Sequence, residues 1–139
     1  EQGCRLFLAA LRSDLDDVQG GTTPEGIHLG AMGGTVEIVM RYYAGLKLGP
    51  KHVCLTPAMP GRIRRVRFRF QHHRRWYELE LTHTRLIISV DEVEPAAITL
   101  EVSGRQYTLG PGTSLELVLE ASTRPACIVH SAATDSDFQ

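Results

Sequence analysis

The residue types and spacing with the most chemistry in them lie in Gly20-Gly21-Thr22-Thr23-Pro24-Glu25-Gly26-Ile27-His28. Pro24 suits the first position of a helix, where a missing N–H costs no hydrogen bond. Thr22 followed three residues later by Glu25 has the form of a capping box. A helix opening there aims its free N–H groups, and the positive end of its macrodipole, at whatever lies beside Gly20-Gly21. His28, one turn further on, adds a donor, and a charge when protonated. These types in this order build a seat for an anion, so the candidate binding set is Gly20, Gly21, Thr22, Thr23 and His28. Thr22 and Thr23 serve equally well as a structural cap, and His28 as a packed helix histidine; the residues alone leave both readings open. Glu25 belongs with the cap, because a carboxylate beside a bound anion repels it.

Two helices must position that segment. Cys4, Phe7, Leu8, Leu11 and Leu15 recur at helical steps, which predicts an amphipathic helix over 3–13. Asp14, Asp16 and Asp17 crowd its end, where the dipole disfavours acids, so they read as loop residues. One of them is alternatively a brace for the glycine loop. A second helix is expected from Pro24 to Tyr43, with Ile27, Ala31, Thr35, Ile38 and Tyr42 on one stripe. Gly26, Gly30, Gly33 and Gly34 form another stripe, and each glycine costs a helix about 1 kcal/mol relative to alanine. That cost implies a close neighbour, either another helix or a ligand. Glu37 and Arg41 are spaced for an i,i+4 ion pair.

Gly45 to Gly61 reads as a connector punctuated by Gly49-Pro50, Pro57 and Pro60-Gly61, with a short strand at His52–Leu55. The domain boundary is expected near residue 50, with a linker over 50–61 and a β domain over 62–121. From Arg64 the hydrophobic period changes to two. Val66, Phe68 and Phe70 alternate with Arg65, Arg67 and Arg69, and Leu79 and Leu81 with Glu78 and Glu80. A hairpin turning at Gln71-His72-His73-Arg74, with arginines facing glutamates on its outer side, accounts for both runs. Leu86–Val90, Ile98–Val102, Arg105–Leu109 and Ser114–Leu119 follow as strands, with a tight turn at Ser103-Gly104 and a loop at Gly110-Pro111-Gly112. Six or more short strands predict an antiparallel sandwich or jelly roll. Residues 122–139 hold few large apolar groups and read as a loose tail.

Charge and cysteine usage exclude several classes. The net charge is −1, yet seven arginines and no acid fall in residues 61–75. Arginines interleaved with Phe68, Phe70 and Trp76 invite a nucleic-acid reading. Against it, the aromatics are expected on the opposite strand face from Arg65, Arg67 and Arg69, and ten acids follow in residues 76–139. A salt-bridged sheet face is the better reading, and no nucleic-acid partner is expected. No run reaches the ~18 apolar residues of a membrane span. Cys4, Cys54 and Cys127 are too few and too scattered for a disulfide framework or zinc site. A reducing, cytoplasmic setting follows. His72-His73 at a turn has no third ligand at a metal-binding spacing, so no metal is expected.

The long motif Gly20-Gly21-Thr22-Thr23-Pro24-Glu25-Gly26-Ile27-His28-Leu29-Gly30-Ala31-Met32 resembles the inverting disaccharide phosphorylases of glycoside hydrolase family 65, which act on trehalose, maltose, kojibiose and relatives. Leu11 to Leu15, Arg41-Tyr42-Tyr43-Ala44-Gly45-Leu46, Leu55-Thr56-Pro57 and Arg64 to Phe70 agree with it, so the likeness runs from about Leu6 to about Thr82. The resemblance implies an α+β chain: two helices left from a helical barrel, then a small antiparallel β-sandwich. It implies a phosphate seat at Gly20, Gly21, Thr22, Thr23 and His28, with inorganic phosphate as co-substrate and no other cofactor. It places the general acid upstream, so no catalytic residue is expected here and the chain, read as a C-terminal fragment, is expected to be inactive alone. Disaccharide and phosphate are the expected partners, through a catalytic portion outside this sequence. The intact enzyme is expected to form a homodimer. A non-catalytic sandwich packing on a catalytic partner, and a hydrolase using Glu25 as base, are the alternatives.

Overall fold

The computed structural model describes residues 2–13, 16, 29–50 and 52–119. α1 (Gln2–Arg12) buries Cys4 and Phe7 and leaves Leu6, Leu8 and Leu11 exposed. α2 (Leu29–Glu37) runs without a break into a π-helix over Ile38–Tyr43. There the Ala44 N–H donates to the Val39 carbonyl at 3.0 Å, five residues back. That wider turn changes which side chain lies below Ile38. At α-helical spacing it is Tyr42, as the sequence pattern anticipates, whereas a π-turn brings Tyr43 into line. Tyr43 is buried edge-on against Phe7, with ring centroids 5.3 Å apart, and Tyr42 is 69% exposed. The Glu37–Arg41 pair forms as expected, at 3.0 Å.

Of the glycine stripe, Gly30, Gly33 and Gly34 fall on α2, and Gly26 lies outside the described residues. No atom of the described residues beyond that helix lies within 4 Å of a Cβ placed on Gly30, Gly33 or Gly34. α1 packs against α2, and Phe7 reaches Tyr43 just beyond the C-terminal end of α2.

Eight strands follow among the described residues: β1 (Lys47–Leu48), β2 (His52–Leu55), β3 (Arg65–His72), β4 (Arg75–Thr82), β5 (Arg85–Val90), β6 (Ile98–Val102), β7 (Arg105–Leu109) and β8 (Ser114–Val118). They make two four-stranded sheets, ordered β1-β2-β6-β7 and β3-β4-β5-β8. One apolar cluster fills the space between them: Val53, Leu55, Leu100, Val102 and Leu109 from the first sheet meet Val66, Phe70, Tyr77, Leu79, Leu81, Leu86, Ile88 and Val90 from the second. The architecture is thus α+β, helices followed by a β-sandwich. The sheets are mainly antiparallel, but β2 and β6 run parallel, pairing His52 with Thr99 and Leu55 with Val102. The connector read from sequence therefore contributes a strand to the middle of a sheet. Val53 and Leu55 face the core, and Cys54 on the other face is buried too.

Gly45 joins the helices to the sandwich. It sits at φ 66°, and its carbonyl accepts the Thr56 N–H at 3.2 Å. Val39 and Met40 pack onto the core cluster just before it.

The β3–β4 hairpin follows the alternation in the sequence. Arg67 lies opposite Glu80 and Arg69 opposite Glu78, with Arg67 hydrogen-bonded diagonally to the Glu78 carboxylate. One aromatic departs from the pattern. Phe68 and Phe70 face inward as expected, but Trp76 shares the outer face with the arginines, and Arg69 stacks over its ring at 5.2 Å. The reason is parity: Trp76 lies an even number of residues from Glu78 and Glu80, so it must share their side of β4. Exposed ion pairs contribute little, so Arg67→Ala is expected to leave the urea midpoint nearly unchanged. A marked drop in the midpoint would mean the arginine stem, not the ion pair, holds the hairpin.

Among the described residues no helix is long and apolar enough to cross a membrane.

Candidate functional site

The anion seat read from the sequence (Gly20, Gly21, Thr22, Thr23 and His28) lies outside the described residues, as do Ile27 and the tail 122–139. What is described next to it is the helix that follows, α2, starting at Leu29. The helical layer carries a second feature. Leu6, Leu8, Leu11, Leu29, Val36 and Tyr42 are all exposed large apolar side chains. Phe7, on the α1 stripe that also holds Leu11, is instead buried against Tyr43. An apolar surface of this kind marks a docking face.

The sandwich has a polar cleft at one end, between the two sheets, of about 320 Å³. His52 and Val53 open β2, Ile98 and Thr99 open β6, and the β3–β4 turn supplies His72, His73, Arg74 and Arg75; Tyr77 and Glu94 complete the wall. Local sequence puts them there. On β4 the inward positions are Arg75, Tyr77, Leu79 and Leu81, so the buried face of the strand ends on an arginine. His72 is its cross-strand partner on β3. The sequence pattern contained this signal, since Arg75 has the same parity as Leu79 and Leu81; starting the strand at Trp76 hid it.

Three histidines converge on the Gly49-Pro50 corner between β1 and β2. The His72 Nε2 pairs with the Gly49 carbonyl at 2.9 Å, and the His73 Nε2 with the Pro50 carbonyl at 2.8 Å. Their rings lie 4.0 Å apart, and the His52 ring packs against Gly49. Burial, reinforced by the neighbouring His73, pushes the His72 pKa down, and the Gly49 carbonyl only partly opposes this. A neutral His72 donates its Nε2–H to Gly49 and keeps Nδ1 free of a proton. Burial likewise raises the Tyr77 hydroxyl above the usual tyrosine range. No cluster of three or more potential metal ligands occurs among the described residues. The histidine pair serves instead as a clamp between hairpin tips.

Comparison with known proteins places these features in a wider group. Residues 50–109 match the family described as "Glycosyl hydrolase family 65, C-terminal domain". An uncharacterised glycosyl hydrolase of Mycobacterium tuberculosis is 34% identical over 111 residues, which is 80% of this chain and 8% of that protein. The trehalose 6-phosphate phosphorylase of Lactococcus lactis is 35% identical over 68 residues, 49% of this chain and 9% of the relative. The α,α-trehalose phosphorylase of Geobacillus stearothermophilus is 26% identical over 117 residues, 84% of this chain and 15% of the relative. A solved structure bearing the name kojibiose phosphorylase, from the human microbiome, superposes with a TM-score of 0.73. It covers 86% of this chain and 17% of its own length at 23% identity, a likeness of fold. The chain thus spans 8–15% of the length of these curated relatives.

Proposed function

Residues 50–109 belong to glycosyl hydrolase family 65 as its C-terminal domain, and on that premise we propose that the chain serves an inverting disaccharide phosphorylase, supplying its phosphate seat. The observation that carries the proposal is the run Gly20 to His28, rich in donors, in a chain similar to two proteins named as trehalose-type phosphorylases. In the proposed reaction an α-linked glucose disaccharide of the trehalose, maltose or kojibiose type is cleaved by phosphate. β-Glucose 1-phosphate and glucose are the products. A carboxylic acid outside this sequence protonates the leaving oxygen, and the nucleophile attacks from the opposite face of the sugar. Inorganic phosphate is already nucleophilic at neutral pH. The protein therefore has to hold and orient it rather than deprotonate it. Backbone N–H groups at a helix start, threonine hydroxyls and an imidazole do this, and they stabilise the charge that phosphate carries into the transition state.

In the full-length enzyme, His28→Ala is expected to raise the apparent KM for phosphate tenfold or more while the KM for disaccharide changes little. Initial rates over a phosphate series check this, and unchanged phosphate kinetics would remove His28 from the seat. Turnover that persists at full rate without phosphate would instead assign a hydrolase, with Glu25 the candidate base.

The exposed apolar residues of α1, α2 and the π-helix favour a further role. Leu8 and Leu11, one helical turn apart, together with Val36 and Tyr42, supply contacts by which the sandwich docks on the catalytic portion. In that role the β domain is a non-catalytic support that holds the phosphate segment at the rim of the active site.

A further inference from the structure

We propose that the cleft at the end of the sandwich binds the oxyanionic head group of a small molecule, with Arg75 as its main anchor. This site shares no residue with the seat at Gly20 to His28, and its argument does not depend on that seat.

Arg75 is the first reason. It is only 6% exposed, it occupies the inward series with Tyr77, Leu79 and Leu81, and its Nη1 has no hydrogen-bond partner. A buried guanidinium is costly unless a counter-charge meets it. The nearby carboxylate of Asp91 does not do so. Its Oδ2 accepts the Trp76 N–H at 2.8 Å, and its Oδ1 is itself buried without a partner. Arg75 lines the cleft, and its planar fork of donors fits a carboxylate or phosphate bound there.

The charge around the cleft is the second reason. Arg74, Arg75, His52, His72 and His73 line it, against one acid, Glu94, which pairs with Arg74 at 3.6 Å. His72 and His73 use their Nε2 atoms on Gly49 and Pro50, so Nδ1 is the remaining polar atom of each ring. An anion in the cleft favours a second proton on His72, taken from solvent, which converts its Nδ1 into a donor.

Backbone strain is the third. The two-residue turn between β3 and β4 holds His73 at φ 49° and Arg74 at φ 65°. Turns of this shape favour Asn-Gly. A histidine and an arginine are kept there against backbone preference, and both line the cleft. The volume of about 320 Å³ suits a ligand the size of a phosphorylated or carboxylated monosaccharide.

The test uses the full chain and NMR signals of the Arg75 side-chain Nε–H and the His72, His73 and His28 rings. Inorganic phosphate and acetate are titrated separately, with sodium chloride matching ionic strength. A saturable shift at Arg75 and His72 with either anion supports the site, and the tighter of the two identifies a phosphorylated or a carboxylated ligand. In Arg75→Met that shift should vanish. Arg74→Gly, which relaxes the turn, should weaken binding several-fold while leaving the Tm without anion equal or higher. No shift at Arg75, an equal shift with chloride alone, or a wild-type response in Arg75→Met overturns the proposal. Signals confined to His28 would also overturn it while supporting the helix-tip seat, so the two sites are judged independently.

Discussion

Gly45→Ala is expected to destabilise the chain by about 2–5 kcal/mol, summing a left-handed backbone cost of about 1–2 with an overpacking cost of about 1–3. The residue sits at φ 66°, where an added Cβ already strains the backbone. That Cβ would also fall well inside van der Waals contact of the Thr56 carbonyl oxygen and hydroxyl. Thr56 cannot simply swing away, because its N–H is bonded to the Gly45 carbonyl and the buried strand β2 immediately precedes it. A domain with ordinary stability of about 5–15 kcal/mol would lose a large share of it. Chemical denaturation followed by tryptophan fluorescence measures the loss. Gly33→Ala is the matched control: no described residue beyond its own helix crowds its Cβ position, and a helical alanine gains about 1 kcal/mol over glycine. If the two substitutions behaved alike, the join between helices and sandwich would not depend on this close approach.

Tyr77→Ala carries the other large effect, a loss of about 3–5 kcal/mol, the range for removing a buried aromatic ring. Tyr77 is 2% exposed, and its ring stacks on Phe70 with centroids 4.8 Å apart and planes 4° from parallel. It also closes the inner wall of the polar cleft. Its removal opens a cavity between the sheets at the point where the apolar core gives way to Arg75. Tyr77→Phe keeps the ring and should retain most of the stability. A Tyr77→Phe variant as unstable as Tyr77→Ala would mean that the hydroxyl, rather than ring packing, anchors this end of the sandwich. Denaturation midpoints of the two variants decide it.

Several elements were legible because their signals are local. The alternation of Val66, Phe68 and Phe70 with arginines, and of Leu79 and Leu81 with glutamates, specifies both the hairpin and its inward face. Ser103 and Gly104 do form a tight turn, at φ 50° and 80°. Other elements were not legible. The parallel partnership of β2 and β6 joins His52 to Thr99 across three strands of the second sheet, β3, β4 and β5, and nothing in either strand names the other. The π-helix moved the buried position from Tyr42 to Tyr43, a one-residue shift that α-helical periodicity cannot express. The cleft escaped notice for a related reason. Its residues come from the starts of β2 and β6 and from one turn, which only the stacking of two sheets brings together.

The amino-acid sequence by itself determined the family likeness, the division into helices and strands, and the inward face of most strands. These rest on spacing within a dozen residues, where backbone geometry repeats with a fixed period. Only the tertiary structure decided which strands are neighbours, which tyrosine is inside, and that a buried arginine faces three histidines across an open end of the sandwich. Those outcomes depend on contacts between distant segments, and a repeat along one strand holds no record of what will pack against it.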